Sequence, residues 1–527
     1  MLLQRIGNHG INLGTLLDRA AARHPANIVV LDHDLDVAPH LGRRLTVPEL
    51  ADLVDTLASR LWAAGVRPTE RVVVHKSDGF DILLLAFALA RIGAVPVLLS
   101  AKLDGDTALE LLRRSAPARL ITDRAKLDHD LPAEVFAVAA QVLITAGEHP
   151  GSTSLAELAG SPRVPPVPMP PEHPTLVTHT SGTTGIPKLA VHTGHTLLAR
   201  YRPQATVAAL VRRRETVVMH VSFVHSRAVS ATAITLLRGV PLVVLADDDP
   251  ARVGPLLARM RPGVIEAHPN TFMRWEELAD DPRRPLATVK YFSSTFDAIH
   301  PRTMRRMLAA SRRPNPLFLQ LYGQSETGPV VGRSYSRRRL ADDGAGRCVG
   351  MPFPGMTGVR VVSRDGRPVS AQSPGHIEVR SGGRAVTYLG DEDLYRRQCD
   401  DQWWRMGDLG YLTRWGCLHL LDREIDRIPG FGSTLVVEDA LLSRLPDLTE
   451  VVILPDAHGR AVPVVCTRED RPLDDDRWRT AVADLPTMRA PLHRRLADLP
   501  HTATTKIKRS ELARLLAARD AGSGEES

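Results

Sequence analysis

The chain is poor in aromatic rings, in cysteine and in lysine. Phe, Trp and Tyr make up 4% of its 527 residues, too few for a lectin or a base-stacking RNA binder. The four cysteines, Cys348, Cys399, Cys417 and Cys466, lie far apart with no C-x-x-C. They read as packing residues of a reduced compartment, with neither a disulfide framework nor a zinc site. Lysine occurs seven times against 60 arginines. Where arginine is the default cation, a lysine can mark a position that needs a compact point charge. Long apolar runs are missing too. The most apolar stretch, Ile82 to Leu99, is interrupted by Arg91, Gly93 and Pro96, whereas a bilayer span needs ~20 mostly apolar residues. It reads as a buried helix to about Arg91 and a buried strand over Ala94–Leu98. Met1 to Arg5 carries no signal-like apolar run, so a soluble, cytoplasmic protein without a membrane partner is expected. No block of one charge sign stands out: 67 basic residues face 60 acidic ones, for a net charge of +7. That balance favours small anionic substrates over nucleic acid.

Hydrophobic residues, at 43%, are plentiful enough for large cores. The first ~160 residues alternate helical patterns with short apolar runs, an α/β arrangement with a parallel sheet. Leu50–Leu61 is an amphipathic helix and Val72–Val74 a strand. A proline-rich connector spans Ser161 to Pro174. A second α/β series follows, with strands at Val217–Met219, Leu242–Leu245 and Val264–Ile265. From about Gly350 the runs become shorter and β-like, at Val359–Val362, His376–Val379, Gly410–Leu412 and Leu418–Leu421. The texture shifts again after Asp422-Arg423. The expected division is therefore residues 1–422, a large α/β domain, and 423–527, a small α+β domain ending in a frayed tail.

Two stretches carry recognisable chemistry. Thr180-Ser181-Gly182-Thr183-Thr184-Gly185-Ile186-Pro187-Lys188 puts four hydroxyls, two glycines and a lysine into nine residues. Such a loop turns tightly and aims donors inward, which suits a polyphosphate. It is not a Walker A loop, because Lys188 lies between Pro187 and Leu189. The second stretch, Tyr322-Gly323-Gln324-Ser325-Glu326-Thr327-Gly328, follows an apolar strand, Leu317–Leu321. A carboxylate flanked by hydroxyls at a strand end suits Mg²⁺ and a nucleotide.

Together the two stretches resemble the adenylate-forming superfamily of acyl-CoA synthetases, peptide-synthetase adenylation domains and luciferases. Trp404-Arg405-Met406-Gly407-Asp408-Leu409-Gly410, Asp422-Arg423 and Leu499-Pro500 to Lys506-Ile507 extend the likeness in the family's order. The resemblance implies layered mixed sheets, a distorted β-barrel-like subdomain and a mobile C-terminal domain. It implies ATP and Mg²⁺, with attack of a carboxylate on the α-phosphate and loss of pyrophosphate. Thr180, Ser181, Gly182, Thr183, Thr184, Gly185 and Lys188 would hold the β- and γ-phosphates. Glu326 with Thr183 would bind the metal, and Asp408 the ribose hydroxyls, with Arg423 as a further donor. Tyr322 would stack near adenine, beside Gly323 and Thr327. Lys506 would bridge the attacking oxygen and the α-phosphate, and His225 would wall off the reacting end of the acyl pocket.

The same resemblance implies a short pocket lined by Phe223, His225, Phe292, Ser294, Thr295, Leu321 and Gly323. Such a pocket fits a small aromatic or short acyl acid from secondary or catabolic metabolism. Ser222–Ser226 lacks the Phe-Asp pair that holds an amino acid's α-amine. The expected acceptor is a thiol, on coenzyme A or on the phosphopantetheine of a separate carrier protein, and the expected assembly a monomer or homodimer. Ile425, the Arg427–Gly432 loop with Pro429, and Thr505 depart from the family pattern around the thiol tunnel. They keep open a ligase that passes its activated group to an amine, or that activates an oxyacid other than a carboxylate. A non-catalytic nucleotide-binding member is the third reading.

Overall fold

The computed structural model describes residues 10–116, 118–182, 185–209, 211–212, 215–295, 299–340, 348–502 and 506–522. The fold is mixed α/β with layered sheets. Its first half is built around an eight-stranded sheet. The central strands Arg71–Val74, Val95–Leu98 and Ala118–Thr122 are parallel and nearly all apolar, as sheets covered on both faces require. The helix expected over Leu50–Leu61 runs Val47–Ala63. Thr46 and Glu49 close its start as a capping box, and Leu50, Leu53, Val54, Leu57 and Leu61 form the buried stripe. The apolar run Ile82–Leu99 resolves as the helix Asp81–Arg91 and the strand Val95–Leu98. Among the described residues no helix is long and apolar enough to cross a membrane.

The second sheet has 14 strands. Leu242–Val244, Val217–His220, Val264–Ala267, Tyr291–Ser294 and Leu317–Gln324 run parallel, in that spatial order. At Gly328–Tyr335 the sheet turns antiparallel and continues through Cys348–Pro352, Leu418–Arg423, Trp403–Leu412, Gly375–Ser381 and Thr357–Val362. The helix Ser226–Leu237 shares one apolar cluster with Val47–Ala63 and Asp81–Arg91.

Two expectations are corrected here. The strands after Gly350 do not close a barrel. The outermost, Thr357–Val362, curls back toward Gly328–Tyr335 and meets it through the Thr357 hydroxyl, which donates to Val330 O at 2.6 Å, without forming a ladder. And Cys348 and Cys417 are paired, with an S–S distance of 2.05 Å. Cys348 opens one antiparallel strand and Cys417 immediately precedes its neighbour, an adjacency that 69 residues of sequence separation conceal.

Residues after Arg423 build their own three-stranded sheet from Leu448–Pro455, Ala461–Thr467 and Leu492–His493, with separate apolar clusters on its faces. This unit rests on the helix Pro301–Ala310. Arg302 donates to the carbonyls of Pro446 at 3.3 Å and Leu448 at 3.1 Å, and His300 Nε2 lies 3.0 Å from Asp439 O.

Candidate active site

The site residues come from turns, one per sheet, and from the C-terminal unit. The hydroxyl-rich loop joins the antiparallel strands Pro174–His179 and Leu189–Thr193. Its neck is closed by Thr180 N–H donating to Lys188 O (2.9 Å) and Lys188 N–H donating to Thr180 Oγ1 (3.0 Å). Gly182 has φ +69°, and a Cβ there would lie 2.8 Å from the Pro187 ring, so only glycine fits. Ser181 and Lys188 are half-buried and Gly185 is exposed; Thr183 and Thr184 lie outside the described residues.

The second turn joins Leu317–Gln324 to Gly328–Tyr335. A Cβ on Gly323 would come within 2.0 Å of Gly328 O, which makes the turn's tight neck a glycine position. The Thr327 hydroxyl, expected near the nucleotide, is engaged within the turn. It donates to Gly328 O (3.0 Å) and accepts from Gln324 N–H (3.2 Å), holding the turn shut. The Tyr322 hydroxyl donates to Asp408 Oδ2 at 2.6 Å. Burial, then the neighbouring Asp408 carboxylate, raises the phenol's pKa well above its ordinary value. Asp408 faces Arg423 across the ladder, with Arg423 Nε 3.6 Å from Asp408 Oδ1. Tyr322, Asp408 and Arg423 therefore form one cluster.

Two residues that sequence reasoning missed tie the halves together. Arg200, on the helix Gly194–Ala208 that follows the first loop, is almost wholly buried. Its guanidinium donates to Gly383 O (2.6 Å), Ser226 Oγ (2.7 Å), Ser325 O (2.8 Å) and Glu326 O (2.8 Å). Burial lowers its pKa to about 9, against the pull of Glu326. Tyr388 donates its hydroxyl to Glu326 Oε1 at 2.5 Å. Burial and then the Glu326 carboxylate push that phenol far up. No local motif could have found either residue: Arg200 is one of 60 arginines, and Tyr388 stands 62 positions from its partner.

His225 caps the helix Ser226–Leu237, its Nδ1 accepting from Arg227 N–H at 3.1 Å. Burial lowers its pKa to about 3, reinforced by Arg200, His179, Lys506 and Arg227. The ring is therefore neutral. Since Nδ1 accepts, the proton sits on Nε2, which lies 3.4 Å from Ser325 Oγ. That imidazole is a hydrogen-bond donor toward the site and has no proton-accepting nitrogen left for it. His179, whose Nδ1 lies 2.7 Å from Thr180 O, and Lys506 both add to the lowering of this ring's pKa, so the charge of the C-terminal lysine is felt at His225. Lys506 is tied to Thr502, whose N–H donates to Lys506 O (2.7 Å) and whose Oγ1 accepts from Lys506 N–H (3.1 Å).

The expected pocket is only partly assembled. Phe223 is drawn into the core beside Phe80 and His33. Phe292 stacks on Phe318, with centroids 6.1 Å apart, and abuts Phe272. Strand alternation is the reason: Phe292 shares a sheet face with its register partners Ile265 and Phe318, while Glu266, Ser293 and Leu319 line the other. Leu321 leans over Gly332 beside Phe353. Ser294 and Thr295 are buried, and neither hydroxyl has a hydrogen-bond partner among the described residues.

A family profile described as "AMP-binding enzyme" matches residues 17–389. The chain is 49% identical to 3-amino-2-hydroxy-4-methoxybenzoate diazotase of Streptomyces cremeus, over 98% of this chain and 97% of that one. It is 26% identical to 3-aminoavenalumate diazotase of a Streptomyces species, over 88% of each. The crystal structure of the anthranilate CoA ligase AuaEII in complex with anthranoyl-AMP superposes with a TM-score of 0.80 at 17% identity, covering 97% of this chain and 98% of that one. With the family match spanning well over half its length, the chain belongs to the AMP-binding enzymes.

Proposed function

We propose that this enzyme adenylates nitrite and transfers the activated nitrogen to the amine of an aminobenzoate-type substrate, giving a diazonium product. The observation that carries this reading is the 49% identity, over 98% of the chain, to a diazotase of an aminobenzoate. It replaces the expected carboxylate-to-thiol transfer by combining the two departures left open above, an amine acceptor and an oxyacid other than a carboxylate. Pro429 is consistent with it, since proline removes a backbone N–H from the loop that resembles part of the thiol tunnel.

The chemistry balances without an external oxidant. A diazo group has two nitrogens. The amine supplies one, and the other must arrive at the oxidation level of nitrite. A nitrite oxygen attacks the α-phosphate of ATP, and the bond to pyrophosphate breaks. The amine lone pair then attacks the nitrite nitrogen, the N–O bond to AMP breaks, and the amine loses a proton. The N-nitroso product tautomerises and expels hydroxide, leaving the aryl diazonium.

Both reactants of the first step are anions, so charge neutralisation and alignment dominate. In this reading Lys506 neutralises the oxygen-to-phosphorus contact, and Lys188 with the loop N–H groups holds the leaving pyrophosphate. His225 Nε2–H donates to the bound oxyanion, a role that suits a ring kept neutral by burial. Asp408, steadied by Tyr322 and Arg423, takes the ribose hydroxyls. Glu326 would hold Mg²⁺, which shields the phosphate charge. The fit is good, because Tyr388 fixes one carboxylate oxygen and leaves the other to a ligand. Thr183, proposed as a second metal contact, rests on the sequence alone. Residues 423–527 would then rotate about Asp422-Arg423 to let the amine reach the adenylate.

The test is AMP and pyrophosphate release across a panel. Release that requires nitrite and 3-aminobenzoate together, with an azo dye formed on trapping by an electron-rich arene, is expected. Release that requires an aromatic acid and coenzyme A or a carrier protein, without nitrite, would restore the thiol-ligase reading.

A further inference from the structure

We infer that Arg227 and Glu266 form a built recognition site for the ring carboxylate of the aromatic amine, an inference that rests on the proposed diazotisation. Arg227 stands in the first turn of the helix Ser226–Leu237, two residues after His225. Glu266 lies on Val264–Ala267, on the sheet face that Phe292 leaves free. The guanidinium grips both carboxylate oxygens of Glu266, through Nε and Nη2. The two side chains are 11% and 6% exposed, so the pair is nearly dry.

This grip uses only one edge of the guanidinium. Nη1 is buried and has no hydrogen-bond partner among the described residues. A sequestered N–H without an acceptor is costly, and here it belongs to the strongest carboxylate-recognising side chain available. It is also in company. Thr295 Oγ1, just past the end of the adjacent strand Tyr291–Ser294, is also buried without a partner among the described residues. Arg227 is tied to the neutral His225 ring as well, through its own backbone N–H, which donates to His225 Nδ1 at 3.1 Å.

The geometry suits an aromatic acid that points its amine at the His225–Ser325–Lys506 corner and its carboxylate at Nη1. Glu266 has a positioning role. It holds the guanidinium plane fixed, so that the ligand meets a preorganised fork. It also cancels the arginine's charge, so recognition rests on directed hydrogen bonds more than on net attraction. A lysine, with no second edge to anchor, could not take both roles.

The experiment is calorimetric titration of the full-length enzyme, with a non-hydrolysable ATP analogue and Mg²⁺, using 3-aminobenzoate and its neutral counterpart 3-aminobenzamide. The unsubstituted protein should prefer the acid by at least about tenfold. Arg227→Lys and Arg227→Met should weaken the acid on the order of 10- to 100-fold, the range expected for hydrogen bonds to a charged group. Affinity for the amide and for the nucleotide analogue should stay within about twofold. Equal binding of acid and amide by the unsubstituted enzyme, no binding of the acid, or equal weakening of both ligands in the variants would each overturn the assignment. Nitrite and turnover play no part in this measurement, so an enzyme that selects the acid but shows no nitrite-dependent AMP release would sink the proposed function and leave the recognition site standing.

Discussion

Arg200 and Lys506 are two cations that act on the same imidazole, His225, yet they are held in opposite ways. Arg200 is buried and donates four hydrogen bonds that join the helix of one sheet to the turn of the other. Lys506 is half-buried in the C-terminal unit, where its backbone N–H donates to Thr502 Oγ1 and its carbonyl accepts from Thr502 N–H. The first is part of the frame. The second is delivered to the frame by a separate sheet and core. Fixed charge suits a group that must shape the site at every stage. Delivered charge suits a group needed for one step.

Substitution separates the two. Arg200→Met strands the carbonyls of Gly383, Ser325 and Glu326 in a buried place and should cost about 3–5 kcal/mol of stability, so that melting temperature and activity fall together. Lys506→Ala should lower pyrophosphate release about 100- to 1,000-fold, the usual loss for one donor to a developing charge, with the melting temperature and ATP binding almost unchanged. If the Lys506 variant unfolded as readily as the Arg200 variant, the contrast between frame and delivered group would collapse.

Tyr388→Phe probes the frame more gently. It leaves one buried oxygen of Glu326 without its donor, at a cost of about 1–3 kcal/mol. An increase in the Mg²⁺ concentration required for half-maximal activity is expected, with the response to the amine unchanged. A rise in the amine requirement alone would mean that Glu326 faces the wrong ligand.

What the sequence made legible follows from chain distance. The two turns, Asp408, Arg423 and Lys506 sit in contiguous segments whose residue types announce their chemistry. Arg200, Tyr388 and the Cys348–Cys417 pair become visible only when remote strands are neighbours. Phe223 and Phe292 sit in the core for a different reason. An aromatic residue near a site in sequence can face either side of its strand or turn, and period-two alternation sends Phe292 into the core. The barrel-like subdomain curls back without closing, because ladder closure depends on which edges meet.

Protonation gives the smallest effect on activity and a clear one on stability. His225 has its pKa lowered to about 3 and His75, also buried, to about 4; burial lowers His179, His192 and His268 as well. Unfolded, each would titrate near 6.5. As pH falls below that value the unfolded chain binds protons that the folded one refuses, so stability rises with pH across the window from about 3 to 6.5. The melting temperature should therefore decline steadily below about pH 6.5. Above pH 6.5 these rings are neutral in both states and contribute no slope. Within the folded enzyme His225 stays neutral throughout, so the pH profile of kcat/KM between about pH 5.5 and 8 should show no inflection that His225→Gln removes. Glutamine keeps an N–H donor without a titrating group. Loss of such an inflection in that variant would identify His225 as a proton acceptor and transfer the work of charge neutralisation from a fixed donor to a base.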